Sequence, residues 1–175
     1  GPAMLLNEKN AVIYGGGGAI GGAVARAFAR EGARVFLAGR HPEPLERVAR
    51  DIRASGGLVE TALLDATNGQ AVDEHANDVT AAAGSLDISM NVIQHGDVQG
   101  KPMVDMYVED YLRPVSTAVQ TMFLTSRAAA RHMMPHRSGV ILAFGGSGTP
   151  SPGLWLGGLI TAFEAMEAMR RQLAV

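Results

Sequence analysis

The sequence predicts an α/β chain, a doubly wound parallel sheet of about five strands with helices on both faces. Three observations carry that expectation. Short β-branched or apolar runs alternate with longer helical patterns along the chain. A glycine-rich turn links the first run to the first helical pattern. Of the 175 residues, 47% are hydrophobic and 18% charged, the composition of a chain that buries a core.

Taken in order, NAVIYG at 10–15 is an apolar run closed by glycine and reads as the first strand, followed by a helix over AIGGAVARAFAREG, 19–32. ARVFLAG, 33–39, and PEPLERVARDIRASG, 42–56, form the next strand and helix. GLVETALLD, 57–65, and GQAVDEHANDVTAAAG, 69–84, repeat the unit, and LDISMNVI, 86–93, supplies a fourth strand. The tract 103–136 is helical but holds Pro114 and Pro135. Proline removes a helical hydrogen bond, so the expectation is a short helix before Pro114, a main helix from Val115 and an end near Pro135. On that main helix Val115, Val119, Met122, Ser126, Ala129 and Met133 form one stripe of small and apolar residues. GVILAFGG, 139–146, is the fifth strand, and the stretch 151–171, SPGLWLGGLITAFEAMEAMRR, carries the last helix. No repeat or linker interrupts this order, so 4–175 is expected to be a single domain, with 1–3 reading as the remnant of a cleaved expression tag.

Charge and composition exclude several function classes. A formal net charge of −2 gives no basic field for nucleic acid. Without cysteine, neither a disulfide framework nor a thiol nucleophile is available. No apolar run reaches the roughly 18 residues that span a bilayer, and no basic-then-apolar leader opens the chain, so the expectation is a cytoplasmic protein whose partners are small molecules or protein surfaces.

The segment VIYGGGGAIGGAVARAFAREGARVFLAGR runs strand, glycine turn, helix, strand. Glycines let the backbone leave the strand tightly and approach a pyrophosphate, while the unpaired N–H groups of the helix start point at the anion. This is a Rossmann-type pocket in outline. Its residues resemble the short-chain dehydrogenase/reductase family, whose turn reads Thr-Gly-x-x-x-Gly-x-Gly: Tyr14 takes the threonine place, Gly15 the first glycine, Ala19 the second and Gly21 the third. Gly15, Gly17, Gly18, Ala19, Ile20 and Gly21 are thus the expected pyrophosphate contacts. About twenty residues on, such a pocket needs an acid for free ribose hydroxyls or a cation for a 2′-phosphate. The chain offers Arg40, with His41 beside it, and no acid, which favours NADP(H) over NAD(H). The resemblance further implies that Asp65 and Ala66, in LLDAT, lie at the adenine. It also puts Asn91 on the first asparagine of the Asn-Asn-Ala-Gly segment, with Val92 breaking the motif.

Members of that family use a tyrosine as acid/base, a lysine four residues later, a serine and an asparagine. Here the resemblance puts Leu159 at the tyrosine, Phe163 at the lysine, Gly146 at the serine and Ala118 at the asparagine place. Composition supports the vacancy. The tyrosines are Tyr14, Tyr107 and Tyr111, the lysines Lys9 and Lys101, and no lysine follows any tyrosine by four. Ser147 and His95, in the loops after the fifth and fourth strands, are the substitute candidates, against their plainer readings as a turn residue and a solvated side chain. His132 and His136 have helical ligand spacing, yet no acid completes a site, so no metal is expected.

The family's fold continues past the last helix with a further strand and a substrate-covering loop, and the resemblance spans about 10–174, the cofactor half. Leu159, Phe163, Met166, Met169 and Leu173 recur at helical spacing as an apolar face. A homo-oligomer through the long helix and this C-terminal helix is the expectation from it, with Gly157 and Gly158 permitting close approach at the helix start. Two functions remain open: an NADP(H)-dependent oxidoreductase acting on a carbonyl or alcohol through a non-standard proton donor, and a catalytically silent nucleotide-binding regulatory or partner subunit.

Overall fold

A computed structural model describes residues 3–144 and 155–173. The strands are β1 (Asn10–Tyr14), β2 (Arg34–Gly39), β3 (Leu58–Leu63), β4 (Ile88–Asn91) and β5 (Val140–Ala143). The helices are α1 (Ala19–Arg30), α2 (Pro42–Ala54), α3 (Gly69–Ala83), α4 (Val108–Met133) and α5 (Leu159–Leu173). The strands form one parallel sheet in the order β3-β2-β1-β4-β5. This is the expected doubly wound arrangement, and each strand run predicts the observed strand to within a few residues.

Alternation of side chains across β1 and β2 divides the core between the two sheet faces. Val12, Tyr14, Phe36 and Ala38 point to one face and pack under α3 and α4 against Val72, Ala76, Ala129 and Met133. Ile13, Val35 and Leu37 point to the other and meet Ala25, Leu45, Val48 and Ile52 of α1 and α2. The register sets Tyr14 opposite Ala38 on one side and Asn91 on the other. Strand order reverses between β1 and β4, so a crevice opens there at the carboxyl ends, where doubly wound folds take their ligands. Toward the β5 edge the sheet is less covered, with Val140 50% and Phe144 48% exposed. No helix among the described residues is long and apolar enough to cross a membrane.

The expected break at Pro114 is not observed. A 3-10 turn at Met103–Asp105 is separate, but α4 runs unbroken from Val108 to Met133 with Pro114 inside it. Proline costs the bond its N–H would give to Asp110 and sets its ring against that carbonyl. Packing on both sides offsets the cost: Pro114 is fully buried, and Ala118, Met122 and Ala129 continue the same covered face. The end near Pro135 is observed, as a 3-10 turn at Met134–His136 closed by Arg137 at φ 50°.

The last helix packs on α4 within the chain. Ala162 and Met166 are buried with Ala118, and Val115 and Phe163 lean on them. The predicted face is thus rotated toward Ala162, and Leu173 stays 43% exposed. Gly158 permits the approach as expected, because a Cβ there would collide with the carbonyl oxygen of Tyr111.

Candidate functional site

Where β1 ends, Gly15 turns the chain at φ 80°, a conformation that favours glycine. A Cβ there would also fall 2.8 Å from the Val92 carbonyl oxygen, so the β1 and β4 exits meet backbone to backbone. The Gly15 and Gly16 N–H groups donate to the Ala38 carbonyl at 2.9 and 3.2 Å, and Gly18 N–H to Gly15 at 3.0 Å. Gly18 caps α1 without a side-chain bond, and the first turn holds no acid. The N–H groups of Ala19, Ile20 and Gly21 therefore have no intrahelical partner, and the positive end of the helix is uncompensated. Gly21 lets α1 sit this close, since its Cβ would strike the Gly15 carbonyl.

From this turn a cavity of about 500 Å³ runs along the sheet's carboxyl edge. Of the residues the sequence singles out, Gly15, Gly17, Gly18, Arg40, His41, Asp65, Ala66, Val92 and His95 line it. Ala19, Ile20, Gly21 and Asn91 do not line it. Gly21 is buried behind the turn, and Asn91 is buried in the sheet, its amide donating to the Thr121 hydroxyl at 3.1 Å and its oxygen accepting from Ile93 N–H. Ser147 and Gly146 lie outside the described residues.

Arg40 is exposed at the cavity rim and takes part in no salt bridge among the described residues. Its electrostatic neighbour is Asp65. The hydroxyl and N–H of Thr67 bond the Asp65 carboxylate at 2.7 and 2.9 Å and, with the Arg40 charge, hold its pKa below the ordinary value despite slight burial. Asp65 is therefore a fixed anion that turns the Thr67 backbone and leaves Arg40 available to a ligand.

At the other end the chemistry is different. His95 is 9% exposed, and burial lowers its pKa against the opposing pull of Asp97, so it is a free base at neutral pH. Its ring meets Phe163, the residue at the family's lysine place, edge to face at 6.0 Å. Ala118 is fully buried in the α4–α5 contact. Tyr111, the tyrosine nearest this end in sequence, bonds the Thr161 hydroxyl at 2.6 Å. No cluster of three potential metal ligands occurs among the described residues.

The structure adds Arg113, Thr117 and Thr121 to the lining. They are four residues apart on unbroken α4 and so share one face. Their i, i+4, i+8 spacing is a readable signal, but a helix broken at Pro114 assigns Arg113 to another element. Pro44 and Leu45, at the start of α2, complete the wall opposite Gly17, whose Cβ would fall 2.7 Å from Pro44.

Known proteins share the sequence family and the fold. The family model described as short chain dehydrogenase matches residues 9–154. An uncharacterized oxidoreductase of Staphylococcus aureus is 32% identical over 138 residues, 79% of this chain and 58% of that protein. The chain thus spans less than two thirds of that relative's length. A metagenomic short-chain oxidoreductase solved in complex with NADP superposes with TM-score 0.84 at 27% identity, covering 97% of this chain and 76% of that one. An NAD+-bound xylitol dehydrogenase shares the fold with TM-score 0.86 at 24% identity, covering 97% and 66%. A glycine turn against an uncapped helix start, a crevice at the β1/β4 reversal and this family match together make the chain a member of the short-chain dehydrogenase family.

Proposed function

We propose that this chain binds NADP(H) along the crevice, pyrophosphate on the Gly15–Gly21 turn, 2′-phosphate on Arg40 and His41, and adenine beside Asp65 and Ala66. The observation that carries the reading is the free Arg40 guanidinium at the rim of a cavity that starts at the uncapped α1. No acid stands where a ribose-reading carboxylate belongs, and Arg40 supplies the charge-assisted bonds a phosphate needs. The NADP complex of the metagenomic relative supports this, while the NAD+-bound xylitol dehydrogenase, similar in fold, makes the preference a matter for titration.

When bound, the nicotinamide supplies hydride chemistry. His95 is the group for the accompanying proton: as a buried free base on the cavity wall it suits taking a proton from an alcohol. A second reading, a silent regulatory or partner subunit, is favoured by one observation. Phe163 and Ala118, at the family's lysine and asparagine places, belong to helix packing. In either case a cytoplasmic homo-oligomer is proposed, built on surface that α5 leaves open on α4, where Leu112 and Phe123 are exposed.

Titration with NADPH and NADH, then cofactor oxidation or reduction against panels of ketones and alcohols, tests these readings. Selective NADPH binding with turnover lost in His95→Gln supports the enzyme; binding without turnover supports the silent subunit; binding of neither nucleotide overturns both.

A further inference from the structure

Arg113 is not needed for any nucleotide group assigned above, yet it lines the same cavity, with His95, Gly96 and Thr117. Its stem crosses the loop after β4 where a Cβ on Gly96 would lie 3.1 Å from its Cδ, and Gly96 holds φ 72°. The loop therefore bends closely around the arginine. Among the described residues Arg113 gives one side-chain bond, from a terminal nitrogen to Asp110 at 3.1 Å, and the other guanidinium donors have no partner there. The fixed charges on the wall are Arg40 at one end, Arg113 at the other and Asp65, which Thr67 engages. A cavity with a guanidinium toward each end, the one at Arg113 paired on one side with Asp110, fits two separated anionic groups.

We infer that Arg113 seats the carboxylate of a small second ligand, an oxo or hydroxy acid, with its reacting carbon toward His95 and Thr117. This rests on the nucleotide reading above. Arginine pairs a carboxylate with two parallel N–H···O bonds, which fixes orientation as well as affinity, and the planar fork rather than the charge alone gives the selectivity. Asp110 then acts as a positioning residue, holding the guanidinium on the α4 face shared with Thr117 and Thr121.

The test is calorimetric titration of the NADP+-loaded protein with pyruvate, with its neutral methyl ester and with inorganic phosphate. NADP+ binding is recorded first on the same sample. The inference expects pyruvate to bind at least tenfold more tightly than the ester and more tightly than phosphate. That preference should vanish in Arg113→Gln and survive in part in Arg113→Lys, with NADP+ affinity retained in both. Equal binding of acid and ester, or a preference unchanged in Arg113→Gln, overturns the carboxylate seat alone. Loss of NADP+ affinity in Arg113→Gln makes the residue a nucleotide contact and also overturns it. Absence of NADP+ binding by the unaltered protein overturns the nucleotide reading together with the inference.

Discussion

Replacing Arg40 with alanine separates the two nicotinamide dinucleotides. Arg40 is exposed and in no salt bridge among the described residues, so its removal costs the fold little. A hydrogen bond to a charged group contributes about 1.5–3 kcal/mol, and solvent screening at the rim puts this one near the lower figure. That is roughly a tenfold loss of NADPH affinity. Asp65 increases it. Its carboxylate, kept ionised by the Thr67 bonds, then stands near the 2′-phosphate without the cation that balances it. NADH lacks the phosphate and should change by less than about twofold. Fluorescence titration of both nucleotides at low and physiological salt measures the gap, which should narrow as salt rises. Equal losses for the two nucleotides, or a gap indifferent to salt, refute the phosphate assignment.

Three further outcomes follow from the same geometry. Gly158→Ala sets a methyl group against the Tyr111 carbonyl and should destabilise by about 1–3 kcal/mol, as overpacking does; a calorimetric melting temperature equal to the parent's would mean that α5 does not approach α4 this closely. Gly21→Ala pushes α1 off the Gly15 carbonyl and turns its free N–H groups away, so NADPH and NADH should weaken together, the opposite pattern to Arg40→Ala; a nucleotide-selective loss would contradict the shared pyrophosphate seat. Burial lowers the pKa of His75 and of His95, so the unfolded chain takes up protons more readily than the folded one. Their contribution is complete above the ordinary value of 6.5 and is lost as pH falls below it. His75→Phe keeps a ring against Tyr14, 6.4 Å away, and should flatten the fall in melting temperature between about pH 7.5 and 5.5; an unchanged fall would place the proton uptake elsewhere.

The sheet was legible because its strands are short β-branched or apolar runs, β1 and β2 closed by glycine, and because the glycine turn marks both the first crossover and the crevice it opens. The end of the cavity at Arg40 and Asp65 was legible for a related reason. Gly15, Gly17, Arg40 and Asp65 follow strand ends directly, and a parallel sheet brings strand ends to one edge. The far end was not, because it is built by helices whose faces depend on continuity. Proline's local rule breaks the chain at Pro114, whereas burial of its ring beside Ala118 and Gly158 keeps α4 whole. With that break, Arg113 loses its place above Thr117 and Thr121. Sequence also had no means to show that Phe163 would meet His95, since the two lie on separate elements.

That contact bears on how the acid/base positions came to differ. Ala118 and Phe163, which the resemblance puts at two of those places, do not stand alone. They share one cluster with Val115, Ala162 and Met166 that joins α5 to α4. Phe163→Lys would bring an ammonium against this cluster and beside His95, where burial already disfavours charge. Restoring a lysine at Phe163 would therefore disturb the α4–α5 contact as well as return a charge beside His95. Among the described residues, the cavity-lining side chain outside that cluster that suits proton transfer is His95, on the loop after β4.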